Sequence, residues 1–259
     1  MSIILLPPSE SKDSAHGRTK LKLNDLAFPE LAKIRADILA ELIRVCNGPA
    51  KSARQILGVS EKQQWEIERN QQLMQSAVAP AWQIYTGVLY DALSFETLTK
   101  SQQTKLEKMA FVQSALFGLI AIGNHMPAYR LSGDCNLPKR GALTKVWALA
   151  CSEALASTND FVVDLRSGIY QKLGPLPKDC DAVIPKIMQR MPAGPPKVVS
   201  HHNKATKGRI VRAIAQSPRT VNAVDSLAEV VSELGAEVEI QKSEKLGQAT
   251  VLQVVVDLL

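Results

Sequence analysis

The sequence predicts a mixed α/β (α+β) fold in a single compact domain spanning residues 1–259, and three observations point there. Apolar runs of strand length at residues 3–6, 161–165 and 251–256 alternate with longer stretches of helical period such as 28–45 and 225–234. No internal repeat or low-complexity linker divides the chain. With 259 residues, 46% of them apolar and 22% charged, one large core is within reach.

Ile3, Ile4, Leu5 and Leu6 have the composition of a buried strand, which Pro7-Pro8 ends. The loop beyond it carries Ser9, Glu10, Ser11 and Lys12, placing two hydroxyls, a carboxylate and an ammonium where a strand end can feed a site. The same residues also suit a solvated loop. Residues 16–22 are basic and poor in apolar groups, which predicts an exposed strip. In 28–45, Leu31, Ile34, Ile38, Leu42 and Val45 recur at helical spacing, and Asn47-Gly48-Pro49 stops the helix. Residues 52–57 and 61–74 read as two helices around Gly58 and Val59, with Ser60 capping the second. DNA-reading helix-turn-helix units share this spelling, yet Glu61, Glu66 and Glu68 against Lys62 and Arg69 make a poor face for phosphates.

Residues 84–90 read as strand or turn, and 100–110 as helix. In 111–140 the apolar Leu116, Phe117, Leu119, Ile120 and Ile122 predict a helix-like run bent at Gly118 and Gly123 and ended before Pro127. Tyr129, Arg130, Ser132 and Asp134 then gather a ring, a guanidinium, a hydroxyl and a carboxylate in one loop. An ordinary helix followed by a solvated hairpin fits that stretch equally. Residues 142–156 are a helix with Val146, Leu149 and Leu155 turned inward, and 161–165 a buried strand that opens into Arg166, Ser167 and Tyr170. The proline-rich passage 174–196, interrupted at 182–191, predicts an excursion over the surface, with a short strand at Val198-Val199 after it. A helix at 225–234 and a strand pair at 238–240 and 248–259 close the sheet.

The formal charge is +6, which favours an anionic partner, and the placement of that charge is more telling than its sum. From 182 to 224 there is no Asp or Glu, while Lys186, Arg190, Lys197, Lys204, Lys207, Arg209, Arg212 and Arg219 fall in the same interval. Lys204, Lys207 and Arg212 can share one side of a helix whose apolar side holds Ile210, Val211 and Ile214. Adjacent His201 and His202 lack metal-ligand spacing, so no metal site and no cofactor is expected. The phosphate loop, the dinucleotide fingerprint and the hydrolase elbow are all absent. Cys46, Cys135, Cys151 and Cys180 are irregularly spaced, which predicts reduced thiols, and neither a signal peptide nor a membrane span is legible; a cytoplasmic protein is expected.

The strings LPPSESK, YTGVLYDAL, SALFGLIAIGNHMPAYRL, DLRSGIY and VVSHHNKATKGRIVRAI, in this order, make the chain resemble the YaaA peroxide-stress protein family of bacteria. The resemblance implies a DNA-binding protein of the oxidative-stress response, associated with DNA repair and with limiting iron-dependent damage. It also implies the so-called cantaloupe fold, with a positively charged cleft and a helix-hairpin-helix carried over onto 116–130, or alternatively onto Leu57, Gly58, Val59 and Ser60. DNA or phosphate contacts are expected from Ser9, Lys12, Tyr129, Arg130, Arg166, Ser167, Tyr170, Asn203, Lys204, Lys207, Arg209 and Arg212. The second hypothesis is an enzyme acting on a phosphorylated or nucleic-acid substrate in the same cleft, with Glu10 and His202 as acid or base.

Overall fold

The computed structural model describes residues 2–191, 194–198, 200–241 and 249–257, with only the backbone given at 200–202. The chain opens with β1 (Ser2–Leu6), buried along its whole length, as befits a strand covered by helices on both pleat faces. There follow α1 (Ala32–Cys46), α2 (Ala50–Leu57), α3 (Gln64–Gln71), β2 (Ala79–Pro80), α4 (Ala81–Ile84), α5 (Val88–Leu93) and α6 (Lys100–Met109). Next come β3 (Ala110–Ser114), β4 (Gly118–Ala121), β5 (His125–Met126), β6 (Asn136–Leu137), β7 (Gly141–Ala142), α7 (Leu143–Ala156), β8 (Phe161–Asp164) and α8 (Gly168–Leu173). β9 (Ala182–Gln189), α9 (Ser200–Gln216), α10 (Val224–Ser232), β10 (Glu237–Gln241) and β11 (Thr250–Val256) complete it.

The main sheet has the order β10-β11-β9-β8-β1-β3-β4. From β11 to β3 neighbouring strands run parallel, and β10 and β4 add antiparallel edges. The mixed α/β class read from the sequence is therefore the observed one. β1 sits mid-sheet, and the chain leaves it toward β3 on one side, whereas from β8 it crosses to β9 on the other. The boundary between β1 and β8 is thus the topological switch point, the place where open α/β sheets leave a crevice at their strand ends.

Several expectations give way. The segment 116–130, expected to hold a helix-hairpin-helix, holds no helix: it contains the end of the turn that closes the β3–β4 hairpin, then β4 and β5. A short continuous apolar run suits a buried strand as well as a buried helix, and here pairing decided. Gly118 takes φ +65°, and a Cβ there would lie 2.7 Å from the Trp147 ring. The buried Arg35 guanidinium donates to the carbonyls of Phe117 (2.8 Å) and Leu119 (2.7 Å), supplying partners that a helix would have found internally. At the alternative position two helices flank a turn: α2 ends at Leu57 with Gly58, φ +60°, as its cap, and α3 follows after a short 3₁₀ turn over Glu61–Gln63.

Within the proline-rich passage, the interruption at 182–191 holds an interior strand, β9 over 182–189. Pairing of β9 with β8 ends at Val183, so Pro185 lies where that side no longer requires an amide donor. On α7 Leu155 is buried as expected, together with Trp147 and Cys151, whereas Leu149 is 70% exposed, because the helix turns its wider apolar stripe past that position. Val198 lies outside any strand, and Val199 is outside the described residues. Tyr85 makes a single bridge to Lys12 before α5 begins.

Candidate functional site

At the switch point lies a cavity of about 770 Å³. Its floor comes from Pro7, Pro8, Ser9, Glu10 and Ser11 after β1, and from Ser167, Ile169 and Tyr170 after β8. One wall is Thr86, Gly87, Val88, Leu89 and Tyr90, another is Ser132 with Asp134, and the third is Asn203, Lys204 and Lys207 of α9. Residues that follow β1 and β8 therefore meet residues of α9 around one space.

Local chemistry explains why they meet. Pro7-Pro8 stops β1, and the Tyr90 hydroxyl donates to the Pro7 carbonyl at 2.8 Å, tying the strand end to α5. α9 presses against α5 because Gly208 lacks a side chain: a Cβ there would stand 2.2 Å from the Leu89 carbonyl oxygen. Lys207 reaches under the cavity to donate to the carbonyls of Leu165 (2.8 Å) and Arg166 (3.4 Å), and burial pushes its pKa down. Gly133 allows the loop to close on Tyr170, whose phenol pKa is raised by burial.

Beneath this floor is a second layer. The Lys12 ammonium donates to Ser9 O at 2.8 Å and Glu10 O at 3.3 Å and lies 4.4 Å from the Tyr129 ring centroid. Burial, and then the nearby Arg130 charge, lower its pKa to about 7. The Tyr129 hydroxyl shares hydrogen bonds with Ser114 (2.7 Å) and Tyr85 (3.0 Å). The backbone of Arg130 is clamped by Asn70 through both its N–H and its carbonyl, and its guanidinium reaches Glu10 at 3.4 Å.

The expected contacts thus separate. Ser9, Glu10, Ser167, Tyr170, Asn203, Lys204 and Lys207 line the cavity. Lys12 and Tyr129 are buried supports, and Arg166 is wholly buried in a fork on Asp164, with further bonds to Gln113 and the Gly174 carbonyl. Arg212 is spent on the Leu93 and Ser94 carbonyls and the Thr97 hydroxyl, while Arg209 stays exposed on α9. The His202 side chain lies outside the described residues. Nor is the cavity the basic cleft that was expected, since its lining carries Glu10 and Asp134 beside Lys204 and Lys207. Strand-end carbonyls and buried carboxylates absorbed cations that the sequence shows only as a charge run. The wall at Thr86–Tyr90 was missed, although Gly87, at φ +95°, marked the bend.

A larger groove of about 990 Å³ opens at the opposite end of the sheet, near Ser2, Phe28 and Phe111. Its Lys105 ammonium is engaged by the Ile214 and Ser217 carbonyls, and it gathers none of the strand-end groups. Among the described residues there is no cluster of His, Cys, Asp or Glu fit to hold a metal, and no helix long and apolar enough to cross a membrane.

Residues 1–235 match a family model described as peroxide stress protein YaaA. A UPF0246 protein of Corynebacterium efficiens is 38% identical over 247 residues, covering 94% of this chain and 97% of the relative. One from Streptomyces coelicolor is 37% identical over 256 residues, 98% of both chains, and one from Corynebacterium glutamicum is 40% identical over 247 residues, 94% of this chain and 97% of the relative.

Proposed function

Because the chain belongs to the YaaA peroxide-stress family, we propose that it serves the bacterial response to peroxide as a cytoplasmic DNA-binding protein. In this reading it holds duplex or structured DNA without reading sequence, in support of DNA repair and of protection from iron-dependent damage. The observation that carries the reading is the meeting of hydroxyls and Lys204 at the switch point, with Arg209 exposed further along the same helix. The α2–α3 turn is the weaker candidate surface: Lys62 is exposed beyond Gly58, yet the adjoining Glu61 is exposed as well.

Phosphate contact requires cations that are free to leave the protein surface. Lys207 and Arg212 are committed to backbone carbonyls, so Lys204 and Arg209 are the α9 residues that test the reading. Replacing both by Ala is expected to flatten the plot of log affinity against log salt by about 1.8, at roughly 0.9 per phosphate contact. Duplexes of unrelated sequence should lose affinity alike. An unchanged slope would take α9 out of the interface.

A second reading, an enzyme acting on a phosphorylated or nucleic-acid substrate, is favoured by the two carboxylates in the cavity and by its small-ligand size. Glu10→Gln separates the two: a binding protein keeps or gains DNA affinity when that charge is removed, whereas an enzyme using Glu10 loses turnover.

A further inference from the structure

We propose that the switch-point cavity receives one nucleotide taken out of its stack, with Asp134 meeting the base and Lys204 meeting its phosphate; the inference rests on the DNA-binding reading. Size is the first argument. A space of about 770 Å³ falls within the roughly 300–1,000 Å³ of small-ligand pockets, and its walls are strand ends and packed helices rather than an open trough for a duplex.

Charge is the second. A track for phosphate backbone is cationic along its length, and carboxylates in it would repel the ligand. Here Glu10 and Asp134 share the lining with Lys204 and Lys207; Glu10 is paired with Arg130 at 3.4 Å, and Lys207 is consumed by two backbone carbonyls. That leaves one uncommitted ammonium, enough for a single phosphate. Carboxylates instead accept from the N–H groups of a base edge. Guanine has two adjacent donors, N1–H and N2–H, which match the two oxygens of one carboxylate, whereas thymine has a single ring N–H. The third argument is the apolar wall of Val88, Leu89 and Ile169, with Tyr170 beside them, against which a base can lie flat. A base inside a duplex reaches none of these groups until it is extruded.

Asp134 and Lys204 are exposed, so Asp134→Asn and Lys204→Ala leave the core untouched. The intact protein would be titrated calorimetrically with deoxyguanosine monophosphate, thymidine monophosphate and inorganic phosphate, and separately with a duplex carrying an unpaired guanine and its fully paired counterpart. The guanine nucleotide is expected to bind best, and the unpaired duplex better than the paired one. Asp134→Asn should weaken the guanine nucleotide about tenfold, in line with loss of a bidentate base contact, and leave thymidine monophosphate unchanged. Lys204→Ala should weaken both nucleotides. Equal binding of the two nucleotides, or of phosphate alone, overturns the proposal, as does tight duplex binding without any mononucleotide binding. Nucleotide binding by a protein that ignores every duplex would sustain the cavity assignment and sink the DNA reading.

Discussion

Lys12 is held by carbonyls of the very loop that lines the cavity, which makes it a clamp on Ser9 and Glu10. Its folded pKa of about 7 lies below the ordinary lysine value of 10.5, so between those limits the unfolded chain binds the extra proton. Stability is therefore expected to rise with pH from about 7 toward 10, by at most about 1.4 kcal/mol per pH unit. A neutral amine still has two N–H donors, so both carbonyl bonds survive the proton's loss. Urea midpoints from pH 7 to 9.5 should climb in the native protein and climb less in Lys12→Met; parallel curves would show that Lys12 keeps its proton. Arg166 is the sharper case. Arg166→Leu strands the buried Asp164 and is expected to cost roughly 3–5 kcal/mol, against no more than about 0.5 kcal/mol for the exposed Lys204→Ala, by denaturant unfolding.

At the scale of elements, the fit of α9 on α5 sets the shape of the cavity, because both helices line it. Gly208→Ala would put a methyl 2.2 Å from the Leu89 carbonyl oxygen and force the helices apart, an overpacking expected to cost roughly 1–3 kcal/mol. Ligand affinity should fall with it. Gly58→Ala meets no atom within 4 Å, so its expected cost of about 1–2 kcal/mol comes from the left-handed backbone alone. Thermal melts compare the two, and only the Gly208 change should also alter binding at the switch point. The helix from 32 to 46, the strand β1 and the terminal strand pair were legible because their periods are long or their turns well marked. The β3–β4 hairpin was not, since an apolar run without polar alternation carries no period.

Across the whole molecule, no intramolecular disulfide is expected to form in response to peroxide. All four cysteines are free, with Cys46, Cys135 and Cys151 buried. Burial pushes the thiols of Cys46 and Cys151 up to about 11, which suppresses the thiolate that peroxide attacks. Treatment with hydrogen peroxide is expected to leave no intramolecular bridge in the native mass, and the half-buried Cys180 should alkylate first. A mass lower by two hydrogens would contradict this.

By itself the sequence determined which groups leave each strand end, because prolines, glycines and apolar runs are local signals that fix where strands stop. It also carried the family resemblance, which is spread over nearly the whole chain. Only the tertiary structure decided that the groups following β1 and β8 face the same space, since that depends on the order of strands in the sheet. It decided the electrostatics as well: Lys12, Arg166, Lys207 and Arg212 read as a positive field in sequence, yet in the fold each is drawn onto backbone carbonyls or a carboxylate. Buried polar backbone at strand and helix ends must find donors, and the nearest long cations supply them.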